Sequence, residues 1–232
     1  MSREHLNHET QEAICESLET LSQADDYYRW LCSRVSPFIR GRALEIGAGI
    51  GTFAQWAAHY ASEYHPTDVD SRLVARLREK FPHAFEWNLF EPFPGDQMYD
   101  TIVILNVIEH LQDDLGALKA LEARLAPGGH LIVMVPAMGF LYGSMDRAFG
   151  HFRRYNKRMV RELFKSVPFR LIKEEYVNVI GMLGWFLYGR ILKTNNLPQR
   201  LCSRFNLVLP LLKIERPLAS VAGLSLMVVG QK

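Results

Sequence analysis

Glu45, Gly47, Gly49 and Gly51 stand at every second position of Arg42–Ala54, RALEIGAGIGTFA. Glycine serves where a backbone turns sharply or a ligand comes close. The apolar run Ala43, Leu44 and Ile46 reads as a short buried strand, and a helix is expected to start near Thr52. A strand, a glycine turn and a helix N-terminus together present free N–H groups to anionic ligand atoms. Glu45 adds a carboxylate where a cationic part of a ligand would sit. Asp68 lies 17 residues beyond Gly51, at the end of a second expected strand. An acidic side chain there can accept from both hydroxyls of a ribose. A third polar group is Asp146, His151, Arg153, Arg154 and Tyr155, all within ten residues. It contains histidine, which titrates in the range useful for proton transfer.

The elements that must position these residues follow from periodicity. Residues 1–40 read as helical: Ile14, Leu18 and Leu21 recur at helical spacing, and Asp25–Ile39 is aromatic-rich up to Pro37. Trp30 is expected to pack on the sheet, whereas Tyr28 is a candidate lid over a ligand. Strands are expected at Glu63–Thr67, Ala84–Asn88, Tyr99–Leu105, His130–Val135, Phe169–Asn178 and Leu224–Gly230. Helices are expected at Thr52–Ala61, Ser71–Phe81 (capped by Asp70), Asp114–Leu125 and Lys157–Val167, with a turn at Ala126–Gly129. Alternating strands and helices predict a parallel sheet covered on both faces.

Composition is that of a globular chain: 232 residues, 48% hydrophobic and 22% charged. Cys15, Cys32 and Cys202 are odd in number and far apart. They suggest neither a disulfide framework nor a metal site, and a cytoplasmic location suits them. The polar start, MSREHLNHET, shows no signal peptide. The net charge of +2 hides an asymmetry: from Asp146 onward there are 16 Lys+Arg against 5 Asp+Glu. A basic last part suits an anionic substrate or surface, or is simply an unevenly charged solvated face.

Two ligands compete for the glycine stretch. Read from Gly49, it fits the dinucleotide pattern G-x-G-x-x-A, ending on Ala54. Read from Glu45 it is E-x-G-x-G-x-G, which also uses Gly47 and resembles motif I of class I S-adenosylmethionine (SAM)-dependent methyltransferases. LEIGAGIG, TDVD, YDTIVILNVIEHL and LAPGGHLIVMVP then follow in the order and spacing of that family. The resemblance covers about residues 27–178. The stretch after the fifth strand resembles a bacterial subgroup with D-x-x-x-G-H-x-R-R-Y, here Asp146, Gly150, His151, Arg153, Arg154 and Tyr155.

The resemblance implies an α/β, Rossmann-like fold. It has a seven-stranded, mainly parallel sheet with an antiparallel last strand and helices on both faces. An N-terminal helical lid (1–40) precedes the core (41–178), and a helical insertion (179–222) separates strands six and seven (the last strand being 223–232), all in one domain. It also implies SAM as cofactor, S-adenosylhomocysteine as product, and no metal. Glu45, Gly47, Ala48, Gly49 and Gly51 would surround the methionine portion, with Tyr28 closing over it. Asp68 and Val69 would hold the ribose, Asn88 and Leu89 the adenine. Asn106, Val107 and His110 would line the pocket near sulfur.

The acceptor is expected among Tyr142, Asp146, His151, Arg154 and Tyr155, with His151 the first and His110 the second candidate base. Glu109 is expected to cap or salt-bridge. A small-molecule acceptor and O-methylation lead, with a lipid-linked or glycan acceptor at a membrane face as the alternative. A non-catalytic SAM-binding protein and an NAD-dependent oxidoreductase are the readings from other classes. Nucleic acid is not expected, since neither N-P-P-Y nor D-P-P-Y occurs. The apolar Val177–Tyr188 is too short to span a bilayer. Beside Arg190, Lys193, Arg200 and Arg204 it would form a cap, a dimer surface or an interfacial helix, in a monomer or homodimer.

Overall fold

The computed structural model describes residues 25–195 and 218–232. The expected helix through Ile14, Leu18 and Leu21 lies outside these residues, as do Cys15, Cys202, Arg200 and Arg204. The strands are β1 (Arg42–Ile46), β2 (Glu63–Asp68), β3 (Phe85–Glu86), β4 (Tyr99–Leu105), β5 (Leu125–Pro136), β6 (Arg170–Val177) and β7 (Ser225–Gln231). They form one sheet in the order β3-β2-β1-β4-β5-β7-β6. β1 to β5 are joined by parallel pairings. The sequence places β7 beside β6; the structure adds that it is threaded between β5 and β6, antiparallel to both.

The helices are α1 (Asp25–Val35), α2 (Ala54–Ala57), α3 (Ser71–Arg78), α4 (Asp114–Arg124), α5 (Ser144–Ala148), α6 (Lys157–Lys165) and α7 (Val179–Trp185). Leu31, Cys32 and Val35 of α1 pack on Ala43, Val103, Ile132 and Met134. On the opposite face, Leu118 and Leu121 of α4 and Val160 and Phe164 of α6 pack on Leu44, Ile102, Leu131 and Val228. Burying each such side chain stabilises the fold by roughly 1.5–3 kcal/mol. Side chains alternate along a strand. β1 therefore sends Leu44 and Ile46 to the α4–α6 face, and Ala43 with Glu45 to the α1 face. A buried carboxylate thus comes to lie beneath α1.

Three local expectations are corrected. β3 is two residues long, not five. Trp87 N still donates to Asp68 O, but the Asn88 carboxamide then accepts from Phe90 N at 3.1 Å. This local bond competes with the sheet ladder and turns the chain away. The helix after the glycine turn shortens to α2, followed by a 3-10 turn at Ala58–Tyr60. The expected turn at 126–129 is instead part of β5, because Leu125 pairs with Tyr99 and the register shifts before His130.

Candidate active site

The sheet brings the C-terminal ends of β1, β2 and β4 side by side, the edge where open α/β sheets receive ligands. Gly47, Gly49 and Gly51 have φ of +68°, +58° and +80°, a region costly for any side chain. A Cβ on Gly47 would also stand 2.5 Å from Val107 Cγ2. Asp68 closes the loop from below. Its Oδ2 accepts from Gly49 N at 2.9 Å and its Oδ1 from Asp70 N at 3.0 Å. Burial pushes the Asp68 carboxyl up, opposed by the N–H groups of Asp70, Gly49 and Val69. Asp70 caps α3, accepting from Arg72 N at 2.9 Å. Gly47→Ala meets both the positive φ and Val107. It is expected to lower stability by about 1–3 kcal/mol in urea unfolding; an unchanged midpoint would contradict the steric account.

Glu45 is 3% exposed and accepts from the Tyr64 hydroxyl at 2.8 Å. Burial pushes its pKa up, Tyr64 pulls it back, and Asp68 adds repulsion, leaving it at about 7. Tyr28 reaches this group from α1: burial and the neighbouring Glu45 push its hydroxyl up to about 12. Tyr28 thus lies beside Glu45, at the C-terminal end of β1. Trp30 stacks on Tyr27, with ring centroids 5.7 Å apart, and packs against the α1-side core.

The remaining cofactor candidates are spread unevenly. Val107 contacts the glycine turn, and Asn106 (φ +54°) is exposed at the β4 end. Asn88 is half-buried, whereas Leu89 is 6% exposed and belongs to the core below the α4–α6 face. Val69 is 66% exposed. Ala48 takes part through its backbone, donating to Thr67 O at 2.8 Å.

A second polar centre lies beyond β4, organised by Asp146 of α5. Asp146 is fully buried. Its Oδ1 accepts from His151 Nδ1 at 2.9 Å and Arg154 Nε at 2.7 Å. Its Oδ2 accepts from Gly143 N at 2.9 Å and Trp185 Nε1 at 3.1 Å. Burial alone would raise its pKa; the His151 bond, the Arg154 charge and the two N–H groups outweigh that and hold it below the usual carboxylate range. An ionised Asp146 only accepts, so His151 Nδ1 is the donor of this bond and Nε2 is the ring nitrogen that it leaves over.

His110 stands against His151 with ring centroids 4.8 Å apart. Its pKa falls to about 4, first by burial and then by His151, so it is neutral at pH 7. Tyr142 donates to the His151 carbonyl at 2.7 Å and braces the loop. Tyr155 corrects the sequence expectation. Its ring is 2% exposed in the core, and its hydroxyl donates to Asp114 at 3.0 Å, away from Asp146. Arg153 likewise binds Asp114, at 2.7 Å. Glu109 corrects another expectation. It caps nothing: it is fully buried, and neither carboxylate oxygen has a hydrogen-bond partner. Burial lifts its pKa to about 8 despite the Arg154 charge. Glu109, His110 and His151 bring metal-ligand atoms within 4.8 Å of one another, with the Arg154 cation beside them competing for the same carboxylate.

Trp185 is a residue that sequence reasoning missed. Its signal was slight: one indole N–H in an apolar run, needing a buried acceptor. The link between the two centres is short. Val107 touches Gly47, His110 follows three residues later, and His151 packs on His110.

The fold is that of an α/β enzyme with a Rossmann-like sheet. A profile of the family described as "Methyltransferase domain" matches residues 6–174, and the chain belongs to that family. The chain is 31% identical to Nodulation protein S of Sinorhizobium fredii over 116 residues, covering 47% of this chain and 51% of that protein. It is 31% identical to a probable S-adenosylmethionine-dependent methyltransferase of Mycolicibacterium smegmatis over 133 residues, covering 55% and 51%. The chain therefore spans about half the length of these curated relatives. In fold it is similar to the crystal structure of a SAM-dependent methyltransferase from Archaeoglobus fulgidus, with a TM-score of 0.63 and 16% identity, covering 90% of this chain and 94% of that one. SAM, rather than a nicotinamide dinucleotide, is the cofactor that accounts for Gly47 and Glu45. The residues present fit it: a cradle that a Cβ would fill, a buried carboxylate for an ammonium, and a second one for a ribose. No helix among the described residues is long and apolar enough to cross a membrane.

Proposed function

We propose that this chain methylates an oxygen of a small-molecule acceptor, with His151 as general base and Asp146 as the residue that positions it. When bound, SAM supplies an activated methyl group on a sulfonium. Glu45 meets the ammonium of its methionine portion, and the Gly47–Gly51 backbone lies along that portion. Asp68 holds the ribose. Val107 and His110 lie between the glycine loop and His151. The acceptor hydroxyl gives its proton to Nε2 of His151, and the resulting imidazolium is stabilised by Asp146. Arg154 Nη2 is buried without a hydrogen-bond partner and would meet an anionic group of the acceptor. The observation that carries the reading is the Asp146–His151 bond of 2.9 Å, one ring contact from the β4 end that walls the glycine loop.

The test is S-adenosylhomocysteine release over a panel of phenols, carboxylates and amines. Turnover confined to amines would overturn O-methylation. Glu45 gives a pH signature of donor binding. Its pKa of about 7 in the free protein means that a bound ammonium must first displace a proton at lower pH. Affinity for SAM is expected to fall up to tenfold per pH unit below about 7 and to level off above it. Calorimetry at pH 5.5, 6.5 and 7.5 reads this, and Glu45→Gln should abolish the slope. A flat profile in the unsubstituted protein would remove Glu45 from the ammonium site.

A further inference from the structure

Beyond α7 the helix continues as π turns over Phe186–Ile191, with Leu192 N donating to Leu187 O. Its inner side is fastened to the acceptor loop. Trp185 reaches Asp146, Gly189 O accepts from Ser144 Oγ at 3.1 Å, and the Gly143 and Gly189 backbones meet where no side chain would fit. Its outer side carries Leu183, Phe186, Leu187 and Ile191, exposed by 42–66%, followed by Leu192 at 55%. Phe140, 58% exposed, extends the patch from the loop beside Phe186, with ring centroids 6.4 Å apart. Six large apolar side chains on one face exceed the scattered exposure of an ordinary surface. The described charged residues of this segment, 179–195, are both cations, Arg190 and Lys193. Both are exposed at the patch itself. A second copy seated on the same face would set these cations against one another, and like charges across an interface are costly. An apolar strip flanked by Arg190 and Lys193 matches the headgroup boundary of an anionic bilayer.

We propose that this face seats the protein on an anionic lipid surface and so presents the acceptor loop to lipid-anchored acceptors. The bearing on the acceptor rests on reading residues 139–155 as the acceptor loop; vesicle binding is measured without any acceptor, so the two readings fail separately. The experiment is flotation with phosphatidylcholine vesicles, with and without phosphatidylglycerol, at low and high salt. The wild-type protein is expected to float with the anionic vesicles, less so at high salt. Leu183→Glu/Ile191→Glu, at exposed positions outside the binding machinery, should lower partition at least tenfold while SAM binding and melting temperature stay unchanged. Absence of flotation, or equal flotation of wild type and variant, overturns the proposal. So does light scattering that shows a dimer which the variant converts to monomer without any vesicle binding, since the patch then belongs to a second copy.

Discussion

Asp68→Ala is expected to weaken binding of SAM and S-adenosylhomocysteine about a hundredfold in calorimetric titration. Two losses add. The ribose loses a charged acceptor, and hydrogen bonds to charged groups contribute roughly 1.5–3 kcal/mol. The loop also loses its lock, because Gly49 N and Asp70 N both donate to this carboxylate. Asp68→Asn keeps one acceptor oxygen but replaces the other by a donor facing an N–H group, so it should be nearly as damaging. A substitution that acted on the fold alone would lower the melting temperature and weaken SAM only by the fraction unfolded. Unaltered SAM affinity would remove Asp68 from the site, and binding of NAD in its place would overturn the cofactor assignment.

His151→Asn is expected to lower kcat by ~10²–10⁴-fold, the range of a positioned general base, with SAM affinity within threefold of wild type. Asparagine can still bond Asp146 but has no basic nitrogen, so the loop is kept and the proton acceptor is lost. The loss should shrink as pH rises and the acceptor ionises unaided. Asp146→Asn tests the positioning role: a weaker acceptor on Nδ1 should reduce kcat and alter its pH profile, leaving the KM for SAM unmoved. It carries a stability cost, because Arg154 keeps its burial and loses its carboxylate partner, a change of about 3–5 kcal/mol for buried ion pairs. His151→Asn is therefore the decisive variant. A wild-type rate would leave His151 with only a structural part.

Much of the glycine loop and of the sheet edge that carries it was legible in the chain. Gly47, Gly49 and Gly51 sit in a glycine run because glycine adopts their positive φ at least cost, and that need is local. Asp68 could be placed because a strand end is visible in the apolar pattern of β2. Tyr99–Leu105 coincides with β4 because a buried parallel strand must be continuously apolar. The early end of β3 was not legible, because only the Asn88–Phe90 bond shows where the chain turns. Tyr155 looked like a site residue by its company, yet it points at Asp114, which lies 41 positions away in sequence.

By itself the sequence determined the order of the elements, the glycine cradle and the family, since each follows from short-range periodicity, dihedral preference or motif spacing. Tertiary structure decided what depends on contacts between distant segments. It inserted β7 between β5 and β6, placed Glu45 under α1 where burial moves its pKa to about 7, and left Glu109 without a hydrogen-bond partner. It also joined Asp146 to His151, Arg154 and Trp185. Burial, and the desolvation that follows from it, belongs to the packed chain and has no counterpart in the local pattern.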